Sequence, residues 1–160
     1  MATILHDGGA AADARSTADG RRTLDEQECL ELLRSVGWGV LASVGEGQPY
    51  AVPVGYALGA DCVYVATGAG RKRSNLDADP RVCLTVCDVG SFERWRSVVI
   101  AAEAEEVVGM AARTAAVAAF VAQRAPRGRA SGADVKRLLT ARIFALSLAG
   151  MTGRMRDAGD

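Results

Sequence analysis

Apolar residues return at every second position in some stretches of this chain and at every third or fourth in others, and the change of period marks its elements. Cys29, Leu32, Leu33 and Val36 recur at helical spacing, behind a Thr23-x-x-Glu26 capping arrangement and ahead of Gly37, which predicts a short amphipathic helix. From Trp38 the period becomes two. Trp38 to Val44, Tyr50 to Leu58 and Cys62 to Ala66 read as strands, and the Gly45-Glu46-Gly47-Gln48 and Gly59-Ala60-Asp61 connections are of hairpin length, so these strands should be antiparallel neighbours. Val82 to Val89, Arg94 to Val108 and Arg142 to Leu148 bring the set to about six strands; Val98 and Ile100 share one face, Val99 and Ala101 the other. Arg71 to Ala78, Ala111 to Arg124 and Ala133 to Leu139 have helical composition. The expectation is a mainly β chain, a closed or nearly closed antiparallel barrel carrying short helices.

Composition narrows the function more than the fold. The chain has 160 residues, 49% hydrophobic and 24% charged, which suits one globular domain with a real core. Residues 1–20 hold hardly a large apolar group and read as a disordered tail, leaving residues 21–156 as the domain. Nineteen basic and nineteen acidic residues cancel, which gives no support for a nucleic-acid or membrane-surface role. The apolar run Ala115 to Ala122 is too short to cross a membrane. Cys29, Cys62, Cys83 and Cys87, with no signal peptide and no metal-type pairing, suggest reduced thiols in a cytoplasmic protein, buried as small hydrophobes. The single histidine, His6, lies in the tail, so the domain has no imidazole base, no histidine-activated nucleophile and no ordinary zinc or haem ligand. No catalytic residue and no metal site are therefore assigned. Trp38 is expected in the core, and Glu103, Glu105 and Glu106 are expected at a solvated strand end with ordinary pKa values.

The stretch from Asp61 to Ala78 carries the candidate chemistry. A β-branched run is followed by Thr67-Gly68-Ala69-Gly70 and then by a helix opening on Arg71 and Lys72. Glycines let backbone N–H groups approach a phosphate, a first helical turn leaves its own N–H groups unpaired, and the two cations add charge. Strand, glycine loop and helix start thus have the order of an anion cradle. Pro53, inside the second strand, cannot donate to a ladder, which implies an edge, a bulge or a ligand-facing position.

The run CVYVATGAGRKRSNLDADPRVCLTV, preceded by PYAVPVGYAL and followed by WRSVVIAAEAEEV, resembles the FMN-binding split-barrel proteins related to pyridoxamine 5'-phosphate oxidase, and within them the nitroimidazole-reductase-like group. The resemblance covers roughly residues 22 to 154. It implies a six-stranded antiparallel split barrel, a homodimer, and FMN in grooves at the interface. Arg71 and Lys72 would hold the phosphate with Thr67, Val65 and Ala66 would offer backbone groups, Val52, Pro53 and Val54 would line the flavin edge, and Trp95 and Ser97 would come from the partner chain. The activity it implies is electron transfer from NAD(P)H to a small-molecule substrate such as a nitro-aromatic or quinone, the flavin supplying the chemistry. The alternatives are a flavin-binding or carrier protein without turnover, a structural dimer that has lost its cofactor, or a reductase using deazaflavin, whose acidic tail would want a basic groove. Arg124, Arg127 and Arg129 are candidates for that groove but read better as solvated charge. The chain departs from the oxidases proper in carrying Tyr50 and Gly55 where they have further cations, and in lacking their C-terminal Arg- and His-containing motif, so vitamin B6 chemistry is not expected. The absence of a histidine near Val65 or Ala66 counts against haem binding.

Overall fold

The computed structural model describes residues 20–124 and 132–157. The predicted tail, apart from Gly20, lies outside the described residues, as do Arg127 and Arg129. The elements run β1 (Arg21–Leu24), α1 (Glu26–Val36), β2 (Trp38–Gly45), β3 (Gln48–Leu58), β4 (Cys62–Thr67), α2 (Arg71–Ala78), β5 (Arg81–Val89), β6 (Arg94–Glu106), α3 (Met110–Arg124), α4 (Gly132–Thr140), β7 (Arg142–Ser147) and β8 (Met151–Asp157). The strand order is β1-β8-β6-β5-β2-β3-β4-β7, and a further pairing of β6 with β7 returns the sheet on itself. The six strands expected from the period-two pattern, β2 to β7, close the barrel.

Two long strands make both the closure and its split. One edge of β6 pairs with β5; the other is shared, Arg94 to Ile100 pairing with β8 and Ala104 to Glu106 with β7. β3 pairs with β2 from Gln48 to Gly55 but with β4 only from Tyr56 to Leu58. Its second edge is therefore bare of strand over most of its length. Inward-facing Leu41, Val65, Leu84, Val86, Val98 and Ile100 fill the interior, and α1 adds Cys29, Leu32 and Leu33 to the same core. A second core holds α3 and α4 on the outside of the barrel through Phe120, Ala116, Leu138 and Ile143. The Tyr56 hydroxyl donates to Leu33 O at 2.8 Å and accepts from Gly37 N–H at 3.2 Å, fastening the end of α1 to β3. Gly37 takes the left-handed conformation (φ 75°) expected of a helix stop.

Several expectations need correction. The capping box is Asp25 with Glu28, not Thr23 with Glu26. Both spacings satisfy the pattern, but Arg22 pairs with Glu28 and Thr23 pairs with Arg154 on β8, which holds Thr23 in an extended strand ahead of the helix. β1 and β8 are strands beyond the six expected, β8 pairing with β1 and with the first half of β6. Trp38 is 55% exposed because Gly39, Leu41 and Ser43 take the inward positions of β2. Cys29 and Cys62 are buried, whereas Cys83 is half-buried and Cys87 exposed, since Val82, Leu84 and Val86 take the inward face of β5. Glu106 is not a free solvated acid. It accepts from Arg142 at 2.8 and 2.5 Å, and that hydrogen bonding holds its carboxyl below the usual value.

Helix α2 is short and mostly polar, so its place on the barrel needs a specific cause. Asn75 and Leu76 are its buried residues. The Asn75 amide donates to the Ser43 hydroxyl on β2 at 3.2 Å. A side chain at Gly45 would overlap the Asn75 carboxamide, so this close approach requires glycine. From the other side Arg142 spans Asp77 on α2, at 2.7 Å, and Glu106 on β6.

Two stability predictions follow from this frame. Asn75→Ala removes the partner of a buried hydroxyl and should lower unfolding free energy by about 1–3 kcal/mol in chemical denaturation, with Gly45→Ala also destabilising. Glu28 is held at about 2, chiefly by hydrogen bonding to Arg22 and then by the Asp25 N–H. A lowered carboxyl pKa contributes stability that is complete above the ordinary value of 4.5 and lost as pH falls toward about 2. Over that window the melting temperature of the wild type should fall more steeply than that of Glu28→Gln.

Candidate functional site

β4 delivers the chain to Thr67, the glycine loop turns it, and α2 begins at Arg71. Gly70 precedes the helix at φ 137°, a conformation that side chains rarely adopt, and no side chain caps the helix start. The N–H groups of its first turn are left for another acceptor. Gly68 and Gly70 both have open space where a side chain would stand.

Lys72 is half-buried and has no hydrogen-bond or ion-pair partner among the described residues. Burial alone pushes its ammonium below the ordinary lysine value. Arg71 is exposed, with its guanidinium over the Tyr50 ring at 4.8 Å from the centroid. A partly desolvated ammonium, the guanidinium next to it in sequence and uncapped helix N–H groups together put positive charge at the start of α2, the kind of charge that attracts an anion. Tyr50 serves as the rest on which the Arg71 cation lies.

The bare edge of β3 runs beside this cradle. Tyr56 N–H donates to Gly37 O, and antiparallel pairs alternate between bonded and non-bonded, so Val54 and Val52 turn their backbone groups toward β2. Pro49, Ala51, Pro53 and Gly55 turn theirs to the unpaired side. Pro53 therefore withholds a donor only from the open edge, and the β2–β3 ladder is intact. Val54 also points its side chain into the core, and Val65 and Thr67 are buried, with the Thr67 hydroxyl on Gly68 O at 3.1 Å.

The predicted residues thus fall into two groups. Val52, Pro53, Val54, Val65, Ala66, Thr67, Arg71 and Lys72 belong to β3, β4 and the start of α2. Trp95 and Ser97 lie on β6, which is separated from β3 by β5 and β2. At about 4.8 Å per strand that is about 14 Å, too far for both groups to hold one edge of a ligand within a single protomer. The sequence reading missed Asn75 and Gly45, which place the cradle, and the backbone of Ala51 and Gly55. Only the alternation read outward from Pro53 could have signalled the last two.

The outer face of the sheet is apolar and uncovered among the described residues. Trp38, Val40 and Val44 on β2 and Val89 on β5 are 55%, 39%, 45% and 68% exposed. Register places Thr85 opposite Val40 and Val99, and Cys83 opposite Ala42 and Ala101, so the face is continuous from β2 to β6. No described helix is long and apolar enough to cross a membrane.

Comparisons with known proteins agree with this architecture. A solved FAD-binding protein from Mesorhizobium loti is 26% identical, matching 86% of this chain and 99% of its own at a TM-score of 0.66. A candidate 5-nitroimidazole antibiotic resistance protein from Bacteroides thetaiotaomicron is 19% identical over 85% of this chain and 89% of its own, with a TM-score of 0.69. An FAD and heme binding protein from Mycobacterium smegmatis is 22% identical over 86% of this chain and 73% of its own, with a TM-score of 0.64. An uncharacterised protein of Rhizobium meliloti (strain 1021) is 28% identical over 86 residues, and the match spans 57% of its length. The family model for pyridoxamine 5'-phosphate oxidase matches residues 25–155, from the cap of α1 into β8, and the chain belongs to that family of flavin-binding split-barrel proteins.

Proposed function

We propose that this protein is a homodimeric flavin-dependent oxidoreductase that takes electrons from NAD(P)H and passes them to a small electrophile such as a nitro-aromatic or a quinone. The observation that carries the proposal is Lys72: a half-buried ammonium with no counter-charge among the described residues, at an uncapped helix start beside a second cation. The cofactor is FMN, whose single phosphate the cradle suits. When bound, the flavin supplies hydride acceptance and electron delivery. The chain's own residues bind and orient it: Arg71 and Lys72 hold the phosphate, and the open edge of β3 offers the Ala51 and Gly55 N–H groups and the Pro53 carbonyl to its ring.

The partner is a second copy of this chain, packed through the apolar outer face of β2, β5 and β6. That arrangement covers Trp38, Val40 and Val44 and lets Trp95 and Ser97 reach the other protomer's cofactor, which the spacing within one protomer does not allow.

The decisive measurement is the visible spectrum of the purified protein after incubation with FMN. A flavin band that survives desalting supports the reading; a colourless protein with FMN and with FAD sinks it. Lys72→Ala should weaken FMN binding by about tenfold or more, since a charge-assisted contact contributes about 1.5–3 kcal/mol, while leaving the melting temperature of the apo-protein unchanged. Sedimentation should give a dimer, and Val40→Lys, which places a charge in the centre of the apolar face, should shift it to monomer.

A further inference from the structure

A cavity of about 390 Å³ adjoins the glycine loop at Gly68, lined by Ala66, Arg124, Asp134, Arg137, Leu138 and Thr140 among others. Its floor is the end of β4 and the loop itself; its wall is the end of α3 and the inner side of α4. The cavity reaches the edge of β3 at Gly55. Extending the β3–β4 register by one step from Tyr56 and Val65 brings Gly55 opposite Ala66, and the Arg124 guanidinium stands 4.0 Å from where a Gly55 side chain would begin. With glycine at position 55, the guanidinium and the strand edge share one open space.

Among the described residues that line this cavity the charges do not cancel. Arg124 lies over the Phe120 ring, at 5.7 Å from the centroid, and within 3.6 Å of Asp134, a distance that orients it as an ion pair without a close hydrogen bond. Arg137 lines the same cavity and has no partner for its side chain among the described residues. Two guanidiniums against one carboxylate leave one positive charge in excess, with planar donors suited to a carboxylate or phosphate. Leu138 and Ala66 give the space an apolar side, so the preferred occupant is an anionic group carried on an apolar or aromatic body.

We infer that this cavity is a second anion site contiguous with the flavin groove, in which Arg137, aided by Arg124, receives a carboxylate or phosphate held beside the flavin. The inference rests on the flavin-binding reading above and extends it to the class of ligand. Two sources supply such a group: an electron acceptor that bears a carboxylate, or the second phosphate of a dinucleotide flavin.

The test compares wild type with Arg137→Ala and Arg137→Lys in two binding titrations that need no turnover. FMN and FAD are titrated into apo-protein by flavin fluorescence, and benzoate and benzamide are titrated into the flavin-loaded protein by the shift of its visible band. If the anion belongs to the cofactor, Arg137→Ala weakens FAD by about tenfold or more and leaves FMN unchanged. If it belongs to the substrate, both flavins bind as before, wild type prefers benzoate to benzamide, and Arg137→Ala abolishes that preference. In either case Arg137→Lys recovers part of the loss. FMN binding with both comparisons unaffected by Arg137→Ala overturns the second anion site and leaves the flavin reading standing; failure of wild type to bind either flavin removes both.

Discussion

Everything proposed for this chain depends on how one polar helix is seated. α2 has little apolar surface with which to pack, and its fully buried residues are Asn75 and Leu76. Its position is set by a hydrogen bond from the Asn75 amide to Ser43 and by the missing side chain at Gly45, which lets the carboxamide press against β2. A buried amide with its partner in place holds a helix in one orientation, where apolar contact alone would tolerate sliding. Arg142 fixes the far end through Asp77, and because it also binds Glu106, α2, β6 and β7 are joined by one side chain. The cradle is therefore a property of the closed barrel, and not of the glycine loop alone.

The barrel is open where its strands are longest. β3 runs past the end of β4, and over Gln48 to Gly55 it has a partner on one side only. The strand thus exposed carries Tyr50, on which Arg71 of the uncapped α2 start rests, so main-chain groups and positive charge are neighbours. The outer sheet face brings a different resource, an apolar surface that no described element covers. A charged helix start, an edge of peptide groups and an apolar face are the features that the proposed flavin, with its charged tail and flat, partly polar ring, would use.

The strands and the cradle could be read from the sequence because each has a local cause. Alternation from Trp38 to Ala66 follows from burial on one face, and the hairpins follow from their glycines. β1 and β8 escaped notice for the opposite reason: RRTL and MTGRMRD carry no alternation strong enough to stand alone, and they are strands because each finds the other and β6. The face that Trp38 occupies was misjudged for want of register; its size suggests the core, but Leu41 and Ser43 set the phase of β2. Arg71 and Lys72 were visible as residues, while the desolvation of Lys72 was not, since it comes from chain folded around it. Asn75 gives no signal at all in a polar octapeptide.

An unpaired strand edge is a hazard as well as an opportunity, because its free donors and acceptors invite a strand from another molecule to add to the sheet and start a fibril. Here the exposed positions of β3 are Pro49, Ala51, Pro53 and Gly55, and two of the four have no N–H to give. A foreign strand laid along this edge would find every second donor missing and could not continue its ladder. The same two prolines leave their carbonyls available, so the split is guarded against aggregation without being closed to a small molecule.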